Sequence, residues 1–71
     1  MDMHDFSTNR IKELREDNGL TQHELSRKTG ISQANISRWE TNIIVPNVLD
    51  CWKLAEFFNV SVDYLIGRED N

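Results

Sequence analysis

The sequence predicts a compact all-α domain of five helices, and three observations lead to this prediction. Residues that favour helix N-caps stand at five places, each followed by apolar residues at helical spacing. Glycine, asparagine or the single proline stands in the segments between them. The 71 residues suit one domain spanning residues 1–71 with one small core, and no strand is predicted.

The first helix is predicted to follow a short tail. Residues 1–5 show no periodicity and are expected to be disordered. Ser7 can cap the helix, with Phe6 and Ile11 as the apolar pair that flanks the cap. The dipeptide Asn18-Gly19 is typical of a helix C-terminus and is predicted to end it.

The next two helices meet at one glycine. Thr21 and Glu24 form a capping box that opens helix 2, predicted at about 22–29. Gly30 supplies the positive φ that a sharp turn needs, and Ser32 caps helix 3, which follows at once. A second helix held out by a tight turn in this way can enter a DNA major groove.

Two further helices complete the chain. Asn47 can cap helix 4, at about 48–58, and Ser61 can cap a short last helix that Gly67 ends. Cys51 has no second cysteine to pair with and is predicted to be a buried, inert thiol. The predicted inner stripe of helix 4 consists of Val48, Cys51, Leu54, Ala55 and Phe58.

The segment from Leu20 to Glu40 resembles the helix-turn-helix of phage repressors, Cro proteins and Xre-type regulators. The matching positions are Gln22, Leu25, Gly30, Ile31, Ile36 and Trp39. The resemblance extends over residues 6–67 and implies a repressor-like DNA-binding domain. It implies a transcriptional regulator, here expected to repress by binding a near-palindromic operator as a dimer.

Helix 3 carries the predicted base-reading face. One arc of about 140° on this helix collects its polar and small side chains. Glutamine suits adenine, arginine suits guanine, and alanine suits the thymine methyl group. The alternative is an ordinary solvated helix face. The predicted base-reading residues are Gln33, Ala34, Ser37 and Arg38, and the predicted phosphate contacts are Gln22, Ser32, Asn35 and Asn42.

The resemblance also implies an ion pair between Arg15 and Glu40. Glu40 lies on the inward side of helix 3, where an unpaired carboxylate would be costly. Trp39 beside it is predicted to form one wall of the core, with part of its ring exposed. Ser26 and Thr29 stand where the family is usually apolar, which predicts slightly looser packing.

The formal net charge is −4, but its distribution is uneven. Residues 1–19 carry five acids and three bases, and residues 49–71 carry five acids and two bases. Residues 20–48 carry three bases and two acids, so the predicted DNA face is mildly basic once Glu40 is paired. The family's usual basic residues after helix 3 are replaced by Ile43 and Ile44, which predicts few phosphate contacts.

The chain has more large apolar residues than one small core needs. The surplus consists of Ile43, Ile44, Leu49, Trp52, Phe57 and Ile66. Some of these can cover a thin core, but an exposed apolar patch generally marks an interface. Leu49, Trp52, Phe57 and Ile66 are therefore predicted to form a homodimer contact. The alternative partner is another polypeptide, as in an antitoxin or adaptor protein.

Other functional classes find no support in the sequence. His4, His23 and Cys51 lack metal-ligand spacing, and no glycine-rich phosphate loop or nucleophile motif is present. No enzyme activity, cofactor or metal is predicted. No apolar run approaches the ~18 residues of a membrane span, so a cytoplasmic location is expected.

Overall fold

The computed structural model describes residues 9–68, and all regular structure in this part of the chain is helical. The helices are α1 (Ile11–Asp17), α2 (Gln22–Thr29), α3 (Gln33–Glu40), α4 (Val48–Phe58) and α5 (Val62–Leu65). The Cα radius of gyration is 11.3 Å, close to the ~11 Å expected for a folded domain of this length. The all-α, five-helix prediction is confirmed, whereas the predicted tail at residues 1–5 lies outside the described residues.

Four helices begin at the predicted N-caps. In each, the cap side chain accepts a hydrogen bond from the backbone N–H three residues later, satisfying a donor that the helix itself leaves free. These caps are Thr21, Ser32, Asn47 and Ser61. Local sequence therefore determines where α2 to α5 start.

The predicted start of α1 is wrong. Ser7 lies outside the described residues, and the helix begins only at Ile11. The side-chain oxygen of Asn9 accepts from the Ile11 N–H at 3.0 Å. Arg10 docks on α5, with its backbone N–H 2.7 Å from the Leu65 carbonyl oxygen and its guanidinium 4.1 Å from the centre of the Tyr64 ring. A tertiary contact therefore accompanies the start of this helix.

One buried cluster joins all five helices. Its members are Ile11, Leu14, Leu25, Ile31, Ile36, Trp39, Cys51, Leu54, Ala55 and Leu65. Trp39 is 2% exposed, so the expected partial exposure of its ring is wrong. Val48 is 86% exposed and does not belong to the inner stripe of α4, because as the first residue of that helix it lies at the rim of the core.

Hydroxyl groups brace the turn between α2 and α3. Gly30 has a φ of +77°, and its N–H donates to the Ser26 carbonyl at 2.8 Å. The Ser26 hydroxyl donates to the Ile31 carbonyl at 2.6 Å, and the Thr29 hydroxyl donates to the Leu25 carbonyl at 2.8 Å. The expectation that Ser26 and Thr29 only loosen packing missed these bonds, which fix the turn that presents α3.

No helix in the described part of the chain combines the length and the apolar character that a membrane crossing requires.

Candidate nucleic-acid interface

α3 has a buried side and an outward side, as its periodicity predicts. Ile36 is fully buried and Trp39 nearly so, which fixes the rotation of the helix about its axis. Gln33, Ala34 and Arg38 are exposed, and the fourth predicted base-reading residue, Ser37, is half-buried. The exposed face of α3 therefore presents an amide, a methyl group and a guanidinium together, although their contact with bases stays a prediction.

An ion pair holds the C-terminal end of α3 against α1. Arg15 Nε donates to Glu40 Oε2 at 2.8 Å, and Arg15 Nη2 donates to Glu40 Oε1 at 3.0 Å. The Arg15 and Glu40 side chains are 11% and 3% exposed. The hydrogen bond to Glu40 raises the pKa of Arg15, against the opposing effect of burial. A bidentate pair shielded from water is both strong and directional.

The pair belongs to a larger network that the sequence did not reveal. Arg15 Nη1 donates to the Leu20 carbonyl at 2.8 Å, and Gln22 Nε2 donates to Glu40 Oε1 at 3.0 Å. We call Arg15, Gln22 and Glu40 the buried polar cluster. It ties the first turn of α2 to α1 and α3. Gln22 was predicted as a phosphate contact, and no spacing rule indicates its link to Glu40, 18 positions away.

The other predicted phosphate contacts also have partners within the protein. The Ser32 hydroxyl caps α3 by accepting from the Asn35 N–H at 3.1 Å. The side-chain oxygen of Asn35 accepts from Arg38 Nη1 at 3.2 Å. Asn42 has a φ of +62°, which confirms the predicted left-handed turn, and its side-chain oxygen accepts from Asn9 at 3.4 Å. Their contact with phosphate stays a prediction.

The exposed charge around the helix-turn-helix is mainly positive. Arg27, Lys28 and Arg38 are exposed, whereas Glu40 is paired inside the buried polar cluster. Glu24 is occupied at the cap of α2, where the Thr21 backbone N–H donates to its carboxylate and lowers its pKa. Glu40 is neutralised by its ion pair, whereas the exposed Glu24 carboxylate keeps its negative charge, so three exposed bases stand against one exposed acid in this region.

Apolar side chains are exposed along the loop before α4 and the first turns of α4. We call this set the apolar ridge: Ile43 (70% exposed), Ile44 (45%), Val45 (53%), Val48 (86%), Leu49 (58%) and Trp52 (56%). The ridge contains two of the four predicted dimer residues, Leu49 and Trp52. Its exposure confirms that the predicted surplus extends to Ile43 and Ile44.

The other two predicted dimer residues lie on different flanks of α4. Phe57, 38% exposed, borders a shallow depression beside α2 that Trp52, Lys28 and Lys53 also line. Ile66 is half-buried against the core, in an apolar depression between α4 and α5. Both depressions adjoin the ridge, since Trp52 also lines the first and Val48 the second. That Leu49, Trp52, Phe57 and Ile66 form one homodimer contact stays a prediction.

The remaining reactive groups do not assemble into a metal site. His23 is exposed on α2, His4 lies outside the described residues, and no group of three or more potential ligands forms within residues 9–68. Cys51 is buried as predicted, and its burial raises the pKa of the thiol.

Known helix-turn-helix proteins are similar in sequence to this chain over all five helices. A helix-turn-helix family model matches residues 11–65, from the first residue of α1 to the last of α5. The chain is 38% identical over 61 residues to the HTH-type transcriptional regulator ImmR of Bacillus subtilis, covering 86% of this chain and 48% of ImmR. It is 34% identical over 70 residues to the HTH-type transcriptional regulator y4dJ of Sinorhizobium fredii, covering 99% and 91%.

An antitoxin is also among the relatives. Antitoxin HipB of Escherichia coli is 37% identical over 54 residues, covering 76% of this chain and 57% of HipB. The chain spans about half the length of ImmR, or 48%. It spans 30% of the HTH-type transcriptional activator BcrR of Enterococcus faecalis. No solved structure matches the chain.

Proposed function

This chain belongs to the helix-turn-helix family of transcriptional regulators, and we propose that it represses transcription by binding a near-palindromic operator with α3 in the major groove. The proposal includes a dimer on DNA, with one α3 reading each half-site. It also places the protein in the cytoplasm, where such an operator is accessible.

One observation carries the proposal. The outward face of α3 presents Gln33, Ala34 and Arg38, whereas its inner face is buried. The buried polar cluster holds the C-terminal end of the helix. A reading helix has to meet the base edges in a fixed orientation, because hydrogen bonds to bases weaken steeply when misaligned. The rigid attachment of α3 meets this requirement, whereas an ordinary solvated helix face would have no need of it.

The direct test is selection of binding sites from random duplex DNA. The purified protein is expected to enrich two related half-sites, one DNA turn apart, that contain a guanine at the position read by Arg38. The double variant Gln33→Ala, Arg38→Ala is the control, since it keeps the buried side of α3. Failure of the wild-type protein to enrich any sequence would rule out sequence-specific binding.

The apolar ridge is the surface that we propose for the dimer. A two-fold axis near Leu49 and Trp52 would let two copies cover each other's ridge and place their α3 helices ~34 Å apart. The buried area would be small, so we expect the dimer to be weak in the absence of DNA. Repression follows if the operator overlaps a promoter, because the bound dimer would then exclude polymerase. A promoter–reporter assay tests this sign of regulation.

Few phosphate contacts are expected in this complex. Ile43 and Ile44 follow α3, and three basic residues surround it. With ~3 phosphate contacts in each half-site, the dimer would give a log–log salt slope of roughly −5. A slope near −10, or tight binding to random DNA at physiological salt, would contradict this phosphate-poor mode of binding.

A second candidate function is an antitoxin or adaptor that binds another polypeptide. Two observations favour it: the similarity to Antitoxin HipB and the extent of the exposed apolar ridge. Co-purification of an unrelated protein from the native host, lost on Trp52→Glu, would support this function. Sequence-selective DNA binding by the pure protein, with no such partner, would support the first.

A further inference from the structure

Two neighbouring side chains on the outward face of α3 are joined by a hydrogen bond. Arg38 Nη1 donates to Asn35 Oδ1 at 3.2 Å. The residues are three positions apart, so their side chains lie on the same face of the helix. Asn35 is half-buried, whereas Arg38 is exposed. The half-buried side chain of Asn35 is thus in contact with the exposed guanidinium of Arg38.

The backbone around Asn35 is itself fixed. Its N–H is held by the Ser32 hydroxyl at 3.1 Å, in the cap of α3. Within residues 9–68, no carboxylate forms an ion pair with Arg38, and its bond to Asn35 is the one side-chain hydrogen bond recorded for it. Among the described residues, Asn35 is therefore the polar partner that can direct the guanidinium.

We infer that Asn35 is a positioning residue, which holds Arg38 for reading guanine instead of contacting DNA phosphate. The inference rests on the proposed function. A free arginine side chain loses much rotamer freedom when it binds, and a partner within the protein reduces that loss. Because the bond uses only Nη1, Arg38 Nε and Nη2 stay available as donors to guanine O6 and N7.

A double-mutant cycle on the selected operator tests this role. Asn35→Ala is expected to lower the preference for guanine over adenine at the Arg38 position by about threefold to tenfold, the range that one ordinary hydrogen bond can supply. In the Arg38→Ala background the same change should alter this preference by less than about twofold, because the two residues act together. If Asn35→Ala instead lowers the binding affinity equally in both backgrounds, on operator and random DNA alike, and leaves the guanine preference unchanged, Asn35 is a phosphate contact and the inference is overturned.

Asn35→Asp separates positioning from affinity. The carboxylate retains an acceptor for Arg38, and aspartate is favourable in the first turn of a helix, so the fold should tolerate it. It also brings a negative charge towards DNA. We therefore expect weaker binding to every sequence but a guanine preference close to that of the wild type. Loss of that preference in Asn35→Asp, to the level seen in Asn35→Ala, would contradict a positioning role.

A measurement without DNA distinguishes failure of this inference from failure of the proposed function. The NMR order parameter of the Arg38 Nε–H bond is expected to fall in Asn35→Ala and to recover in Asn35→Asp. Identical order in all three proteins would overturn the inference even if operator binding is sequence-specific. If the wild-type protein selects no DNA sequence, the proposed function fails and the guanine-reading role fails with it, whatever the order parameters show.

Discussion

The buried polar cluster and the apolar ridge lie on the same small domain but meet opposite requirements. In the cluster, both oxygens of Glu40 accept hydrogen bonds, and no buried side-chain polar atom among the described residues lacks a partner. On the ridge, side chains such as Val48 and Ile43 remain mostly in water. A buried charge is stable only when groups within the protein pair with it, whereas an exposed apolar surface can be covered by another molecule. The cluster fixes α3 in the fold, and the ridge is the surface that we propose for bringing two copies together.

The largest effect is expected from Glu40→Ala, which removes the acceptor at the centre of the cluster. Arg15 and Gln22 would then lose their shared acceptor, and a buried charge would be left uncompensated. Because these bonds are only partly buried, we expect the free energy of unfolding to fall by less than the ~3–5 kcal/mol of a fully buried pair, but by more than the ~1 kcal/mol of a surface pair. Chemical denaturation monitored by circular dichroism measures it.

Glu16→Ala is the matched control for the cluster. Glu16 also approaches Arg15, at 3.9 Å, but its side chain is 57% exposed. Its loss should cost less than about 1 kcal/mol, as for other surface ion pairs. Equal stability of the Glu40→Ala and wild-type proteins would show that the cluster does not hold α3 in place.

Arg38→Ala tests whether the outward face of α3 is separate from the cluster behind it. Specific binding should weaken by about 1–3 kcal/mol, with relaxed preference at one base position. The melting temperature should stay near that of the wild type, because the side chain is exposed. Fluorescence anisotropy on operator and random DNA measures both affinities. Equal loss on the two would identify Arg38 as a phosphate contact.

Trp52→Glu tests the ridge. A charge at the proposed two-fold axis would face its own copy, so cooperative binding to the full operator should be lost, at least about tenfold in affinity. Binding to an isolated half-site and the helical circular dichroism should be unchanged. Lys53→Gln changes the net charge by the same amount one position away and should have little effect. A Trp52→Glu protein that still binds the full operator as a dimer with wild-type affinity would place the interface elsewhere.

The two regions also differ in how well the sequence predicted them. Caps such as Thr21 and Ser32 were predictable, because a cap depends on residues within one helical turn. The Arg15–Glu40 pair came from the family resemblance together with the inward position of Glu40 on its helix. The link from Gln22 to Glu40 was not predictable, because it depends on how α2 and α3 cross.

The errors at the edges of the core have a similar cause. The start of α1 was misplaced because Arg10 docks on α5, 54 positions away in the chain. Val48 has the right periodicity for the inner stripe but stands at the first position of α4, where no neighbouring helix covers it. Periodicity indicates the direction in which a side chain points, but not where the surrounding core ends.

The smallest effect is expected from the capping box of α2, whose two side-chain bonds are exposed. The Thr21 N–H lowers the pKa of Glu24 below its ordinary value of 4.5. The ionised carboxylate therefore adds stability above pH about 4.5, and this contribution is lost as the pH falls through the lower pKa of the folded state. Glu24→Gln keeps a neutral capping acceptor, so its melting temperature should be slightly below wild type at pH 7, and this gap should narrow as the pH falls below 4.5. Glu56→Gln, an exposed change on α4, serves as the control. A constant gap between Glu24→Gln and wild type from pH 7 to pH 3 would contradict a role for the ionised carboxylate.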